Sequence, residues 1–96
     1  MTLSNATEID TLKGWLVRKL LRNGYVCKKH IDIDDIPKGA DPRYRKDILK
    51  LVDDLKKSGR MFSFPHGSKK KCCLNRRFIA EFEEILIRYE SRTKNP

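Results

Sequence analysis

Long apolar runs and a secretory leader are both missing from this 96-residue sequence. The longest apolar runs, such as Trp15–Val17 and Ile85–Ile87, stop after three residues. A helix that spans a bilayer needs about 20 predominantly apolar residues. The first residues, Met1–Asn5, lack the charged and apolar regions of a secretory signal. We therefore expect a cytoplasmic protein without a membrane partner, nucleoid-associated if its source is prokaryotic.

Cysteine is scarce, and its placement disfavours both disulfides and metal. The three cysteines are Cys27, Cys72 and Cys73, an odd count in which two neighbours would point to opposite faces of a strand. Structural zinc sites use two ligand pairs, each with a short spacing. Cys27 and His30 have that spacing, whereas His66 and the later cysteines do not. We expect no bound metal and no other cofactor.

A catalytic constellation is also missing. Neither histidine lies in a recognisable nucleophile motif, and no glycine-rich loop is present to hold a phosphate. The aspartates Asp32, Asp34 and Asp35 are better explained as negative charge at the start of a helix than as a cation site. The sequence therefore predicts a protein that is not an enzyme and has no small-molecule ligand.

Positive charge is abundant. Lys and Arg number 22 against 13 Asp and Glu, so the formal net charge is +9 and the isoelectric point is about 9.7. Such an excess on a small body favours a polyanionic partner, of which nucleic acid is the commonest. The alternative is a basic surface that serves only solubility.

Four helical segments and one hairpin account for most of the chain, which we interpret as a single domain over residues 1–96. Hydrophobic periodicity predicts the first helix from about Thr7 to Asn23 and a brief second helix at Ile33–Ile36. A third helix is capped by Asp41 and stopped by Ser58–Gly59. A short strand or loop at Tyr25–Ile31 separates the first two helices.

The period changes from helical to alternating after the third helix. Arg60–Phe64 and Lys71–Leu74 have strand patterns, and Pro65–Lys70 between them has turn chemistry. Asn75 then caps a fourth helix, which we expect over residues 76–90, before a frayed polar tail at 91–96.

This order of elements resembles the winged helix-turn-helix family, in particular its small basic archaeal-type members. The resemblance covers roughly residues 7–75. It implies a mainly α fold with a small β-hairpin (α+β), to which the fourth helix is added. The segments that carry the resemblance are Ile33-Asp34-Asp35-Ile36, Asp41-Pro42-Arg43-Tyr44, Leu55-Lys56-Lys57-Ser58-Gly59-Arg60 and Gly67-Ser68-Lys69-Lys70-Lys71.

The resemblance implies that the third helix enters the major groove and that the hairpin is the wing. On the third helix, the candidate DNA-binding residues are Arg43, Arg45, Lys46 and Lys50. Arginine is favoured there because its planar fork matches the acceptors of guanine. The alternative for these residues is an ordinary solvated helix face.

The wing carries basic residues without an intervening acid from His66 to Arg77. A basic tip suits contacts with phosphates or the minor groove. The alternative is an edge strand protected from aggregation by lysine. The candidate DNA-binding residues of this segment are Lys69, Lys70, Lys71, Arg76 and Arg77.

The fourth helix carries more large apolar side chains than one face requires. We expect Phe78, Phe82, Ile85 and Tyr89 to form the seam of a homodimer. The alternative is that this helix packs wholly back onto the first helix.

The sequence thus predicts a sequence-specific or architectural protein that binds double-stranded DNA, such as a transcription regulator. A winged helix used for protein–protein contact through the fourth helix is the alternative. RNA binding is a further alternative, disfavoured because Phe62 and Phe64 are expected to face the core and leave no stacking platform.

Overall fold

The computed structural model describes the backbone of residues 6–26 and 28–94, and the side chains of residues 9–26 and 28–91. Cys27, the cysteine of the short-spaced Cys–His pair, lies outside them. The first helix, α1, runs from Ala6 to Arg22 and agrees with the predicted bounds within one residue. Its inward stripe, Leu12, Leu16 and Leu20, is almost completely buried, as helical spacing requires.

The predicted second helix is only one 3₁₀ turn. The two-residue strand β1, Ile31–Asp32, leads directly into the turn Ile33–Asp35. Pro37 follows at once, and proline cannot donate the hydrogen bond that would extend a helix. The prediction of a helix at Ile33–Ile36 was therefore wrong in type, because the segment is too short for α-helical propagation.

The predicted third helix begins as a 3₁₀ turn at Pro42–Tyr44 and continues as α2, Arg45–Lys57. Asp41 caps the turn as expected, since its Oδ1 accepts a hydrogen bond from the Arg43 amide at 3.0 Å. Ile48, Val52 and Leu55 of α2 are buried. The helix stops at Ser58–Gly59, where Gly59 takes a φ of 78° that glycine adopts without steric cost.

The hairpin is longer than the sequence predicted. Strands β2, Met61–His66, and β3, Lys69–Leu74, pair antiparallel and leave only Gly67–Ser68 as the turn. Gly67 has a φ of 62°, as tight hairpin turns demand. The sheet order is β1-β3-β2, so β2 is an edge strand and tolerates Pro65 within it.

The two faces of this sheet differ in burial. Ile31, Met61, Cys72 and Leu74 share the inner face and join the core with α1 and α2. On the outer face, Phe62 and Phe64 remain 42% and 41% exposed. The expectation that both phenylalanines face the core was therefore wrong. Alternation along β2 places Met61 and Ser63 inward, because they are paired with the inward-facing Leu74 and Cys72.

The predicted fourth helix is α3, Ile79–Lys94, preceded by a 3₁₀ turn at Arg76–Phe78 that Asn75 caps. Its helical structure continues through Ser91–Lys94, four residues beyond the predicted helix end at residue 90. Residues 95 and 96 lie outside the described part. None of the helices in the described part of the chain is long and apolar enough to cross a membrane.

Helix α3 packs back onto α1, which corrects the predicted dimer seam. Phe82 is completely buried in the core, and the partly buried Phe78 and Ile85 pack against the same core. Tyr89 lies so close to Gly14 of α1 that a Cβ built there would stand 2.5 Å from the tyrosine Cδ1. Within one copy, Phe82 is thus covered completely and the other three side chains in part. Homodimer formation stays a prediction, but these four side chains do not form an exposed surface through which two copies could pair.

The architecture is α+β, as predicted: residues 6–26 and 28–94 form three α-helices and one small antiparallel sheet of three strands around a single core.

Candidate nucleic-acid interface

One continuous segment, about a quarter of the chain, carries positive charge only. Residues 55–80, from the end of α2 to the start of α3, contain eight Lys or Arg and no Asp or Glu. The hairpin lies entirely within this segment, so its solvent-facing charge has one sign. The eight residues are Lys56, Lys57, Arg60, Lys69, Lys70, Lys71, Arg76 and Arg77.

The 3₁₀ turn before α2 and the first residue of α2 present two arginines that are paired with nearby carboxylates. Arg43 Nε lies 3.2 Å from Asp41 Oδ2, and its guanidinium also covers the ring of Tyr44 at 5.1 Å. Arg45 lies 3.7 Å from Asp34 in the turn after β1. Exposed ion pairs of this kind contribute little stability, about 0–1 kcal/mol, so either arginine can exchange its partner for a phosphate or a base.

Two lysines of α2, Lys46 and Lys50, are exposed, and no described carboxylate lies within 4.0 Å of either. Lys57, at the other end of the helix, differs because it pairs with Asp53 at 3.0 Å. That pair lowers the pKa of Asp53 and raises the pKa of Lys57 through their mutual hydrogen bond. Lys46 and Lys50 thus differ from Lys57 in having no described carboxylate that compensates their charge.

At the hairpin, Lys69 and Lys70 are exposed and Lys71 is half-buried. Lys69 Nζ approaches Oδ2 of Asp32 at 4.0 Å across the outer face of the sheet. Among the described residues, Lys70 and Lys71 have no such carboxylate partner. The register pairs Lys69, Lys70 and Lys71 with His66, Pro65 and Phe64, respectively.

The two sets of basic residues meet at one turn of the chain. Asp32 and Asp34, which approach Lys69 and Arg45, are only two residues apart. The start of α2 and the turn end of the hairpin are therefore neighbours in space, although 24 residues separate Arg45 from Lys69. The same turn holds the ion pair Asp35–Lys38 at 2.7 Å, and that hydrogen bond lowers the pKa of Asp35.

Lys19 of α1, which the sequence analysis did not single out, fixes the loop that leads into α2. Its Nζ donates to the carbonyl oxygens of Asp35 at 2.9 Å and Ile36 at 2.8 Å, and also to that of Lys38. The burial that this position imposes lowers the pKa of Lys19. A sequence signal existed, since Lys19 lies between Leu16 and Leu20 at the border of the apolar stripe.

Arg76 and Arg77 are exposed but do not join the other candidates. They follow the end of β3 that is remote from the hairpin turn, where the Asn75 side chain donates to the Gly59 carbonyl at 2.8 Å. Six residues of strand, at about 3.3 Å each, separate this end from Lys69. The structure therefore places these arginines near the C-terminal end of α2, apart from the meeting point at Asp32–Asp34.

The sequence did not point to the outer face of the sheet as a candidate site, because Phe62 and Phe64 were expected to face the core. The ring of His30, just before β1, meets the ring of Phe64 edge-on at a centroid distance of 5.1 Å. Lys71 is the cross-strand partner of Phe64 on this face.

Metal and thiol chemistry receive no support in the described residues. No group of three or more His, Cys, Asp or Glu side chains among them is placed to hold a metal ion. Cys72 and Cys73 are both buried and are not joined in a disulfide, and burial raises the pKa of Cys72. A raised pKa keeps that thiol protonated, and the protonated form is a poor nucleophile.

Searches of this chain against models of protein families, curated proteins and solved structures found no match.

Proposed function

We propose that this protein binds double-stranded DNA as a winged helix-turn-helix domain and has no catalytic activity of its own. Under this proposal the protein is either a transcription regulator or an architectural DNA-binding protein. The observation that carries the proposal is the meeting of Arg45 and Lys69 at the turn Asp32–Asp34. Through these two carboxylates, the exposed N-terminal end of α2 and the basic turn end of the hairpin reach the same short segment of the chain.

The arrangement of the elements supports the winged-helix interpretation. A helix, a short strand, a helical turn, a second long helix and a hairpin follow one another in the chain. The short strand β1 pairs with β3, the second strand of the hairpin. In helix-turn-helix proteins the second helix of the motif carries the base contacts. That helix is α2 in this chain, and the helix before it is reduced to the turn Ile33–Asp35.

Each basic set has a role that matches its chemistry. Arg43, Arg45 and Lys46, at the first turns of α2, would reach base edges in the major groove. Lys69 and Lys70, beside the hairpin turn, would neutralise backbone phosphates, for which a point charge on a flexible stem suffices. Residues 55–80 contain no Asp or Glu, so the hairpin itself contributes no negative charge that would repel DNA.

The salt dependence of binding tests this function. A fluorescently labelled 20-base-pair duplex is titrated with the protein at several salt concentrations. Three to five phosphate contacts would give a slope of log affinity against log salt of roughly −3 to −5. A slope near zero, or no binding at low salt, would contradict the proposal.

The role of α2 is tested by discrimination between DNA sites. We expect Arg43→Ala and Lys46→Ala each to weaken the best site by about 1–3 kcal/mol, more than they weaken a random duplex. Lys57→Ala is the matched control, because Lys57 lies at the far end of α2 and pairs with Asp53. Wild-type affinity of both variants for the best site would show that α2 does not face DNA. A wild-type protein without site preference would favour the architectural form.

A further inference from the structure

Two aromatic rings on the outer face of the hairpin are only partly covered in the described part of the chain, Phe64 by the edge-on ring of His30. Phe62 and Phe64 alternate with the inward-facing Met61 and Ser63, so both lie on the same face of β2. Their exposed fractions, 42% and 41%, are large for phenylalanine, a residue that is most often buried.

The surroundings of these rings are basic. Lys71 stands opposite Phe64, and His66 follows Phe64 on the same face, opposite Lys69. The one carboxylate that the register places on this face, Asp32, already lies 4.0 Å from Lys69. Cation and ring are therefore interleaved across β2 and β3.

The spacing of the rings suits consecutive nucleobases. Residues two apart on a strand are separated by about 6.6 Å, a distance that an extended single strand bridges from one base to the next. Proteins that bind single strands combine a basic track for the backbone with aromatic side chains on which successive bases stack.

The exposed aromatic area is small compared with a protein interface. Two phenylalanine side chains of about 200 Å² each, exposed by some two fifths, offer on the order of 170 Å². A specific protein interface buries about 800 Å² on each partner. The size of the aromatic surface and the sign of its charge thus favour bases linked by phosphates over a second copy of the chain.

We propose that Phe62 and Phe64 form a stacking platform for two unpaired bases of a single-stranded nucleic acid, with Lys69 and Lys71 on the adjoining phosphates. The inference extends the proposed duplex-binding function to unpaired strands, and it uses the opposite side of the hairpin from the core. It also reverses the basis on which RNA binding was disfavoured, since that basis was the assignment of both phenylalanines to the core.

The test compares single strands with a duplex on the same protein variants. Fluorescently labelled 15-nucleotide oligo-dT and oligo-U and a blunt 20-base-pair duplex are titrated with wild type, Phe62→Leu and Phe64→Leu. Loss of one stacked base should weaken single-strand binding about 5- to 100-fold, whereas duplex binding should change less than about twofold. Ile87→Ala is the control, because Ile87 is an exposed apolar residue of α3.

A ring-retaining variant separates stacking from folding. Phe64→Trp should keep single-strand affinity within about threefold of wild type, and the fluorescence of the new tryptophan should be quenched by oligo-dT. Unchanged single-strand affinity of both leucine variants would overturn the platform. Wild type that binds the duplex but neither oligonucleotide would overturn the platform alone, and binding to none of the three would overturn the proposed function as well. Self-association that Phe64→Leu abolishes would assign this face to a second copy and also overturn the platform.

Discussion

The side of the molecule formed by α1 and α3 and the side formed by the hairpin and the start of α2 use the same residue types differently. Between α1 and α3, charges of opposite sign meet: Arg22 contacts both oxygens of Glu90, at 2.9 and 2.6 Å, and Arg18 approaches the same carboxylate at 3.7 Å. Aromatic side chains there are packed, with Phe82 completely buried. On the hairpin, lysines outnumber acids and two phenylalanines face solvent.

The two sides differ in how far the apolar surface and the charge of one copy are matched by contacts within that copy. Apolar area and charge at the α1–α3 contact are satisfied within one copy, so that contact explains stability. The hairpin carries positive charge and aromatic surface that the described residues cover only in part. This is the surface on which the proposed binding of a polyanion with stackable bases rests.

The largest expected effect comes from removing the buried phenylalanine ring at the α1–α3 contact. Phe82→Ala should reduce the free energy of unfolding by about 3–5 kcal/mol, since it leaves a cavity in the core. Urea denaturation followed by circular dichroism measures this change. Ile87→Ala, on the same helix but 66% exposed, should change it by less than about 0.5 kcal/mol. Near-equal effects of the two variants would contradict the packing of α3 against the core.

Because α1 and α3 approach each other closely at Gly14, we expect Gly14→Ala to change stability in the opposite direction from Gly→Ala in an exposed helix. In an exposed helix, Gly→Ala stabilises by about 1 kcal/mol. Here the new methyl would meet the Tyr89 side chain at 2.5–2.7 Å, so Gly14→Ala should instead destabilise by about 1–3 kcal/mol. In a Tyr89→Ala background the same substitution should become neutral or stabilising. Stabilisation by Gly14→Ala in the wild-type background would contradict the packing of α3 on α1.

A smaller effect is expected from Lys19, which connects the two sides. Lys19→Met keeps the aliphatic stem but removes the donor to the carbonyls of Asp35, Ile36 and Lys38. We expect a loss of about 1–2 kcal/mol in unfolding free energy, together with weaker duplex binding, because the loop before α2 loses its anchor. Lys13→Met on the same helix is the control. Equal stability and equal DNA affinity of the two variants would show that the anchor has no role.

The sequence was sufficient where local chemistry decides the structure. Asp41 with Pro42 marked the start of the 42–57 helical segment, Ser58–Gly59 its end, and Gly67 lies in the predicted hairpin loop. These signals act within a few residues and do not depend on the rest of the fold. The start and end of the predicted third helix and the existence of the hairpin followed from them.

The failures concern which surface a segment meets. Along Met61–Phe64 both faces of the strand carry apolar residues, so alternation alone does not select the buried one. The pairing with Cys72 and Leu74 selects the face of Met61. For α3, the apolar excess suggested an intermolecular seam, yet α1 offers a groove at Gly14 that accepts Tyr89. Both outcomes depend on long-range contacts, which periodicity does not encode.

The most direct test of the central claim, that the hairpin side binds nucleic acid and the α1–α3 side does not, compares two variants of equal charge. One carries Lys69→Ala, Lys70→Ala and Lys71→Ala, and the other carries Lys13→Ala, Arg18→Ala and Arg88→Ala. The slope of log duplex affinity against log salt is measured for both. We predict that the hairpin variant flattens the slope by up to about 0.9 for each lost phosphate contact and that the α1–α3 variant leaves it unchanged. Equal flattening by the two variants would mean that net charge alone drives binding, and would contradict the account.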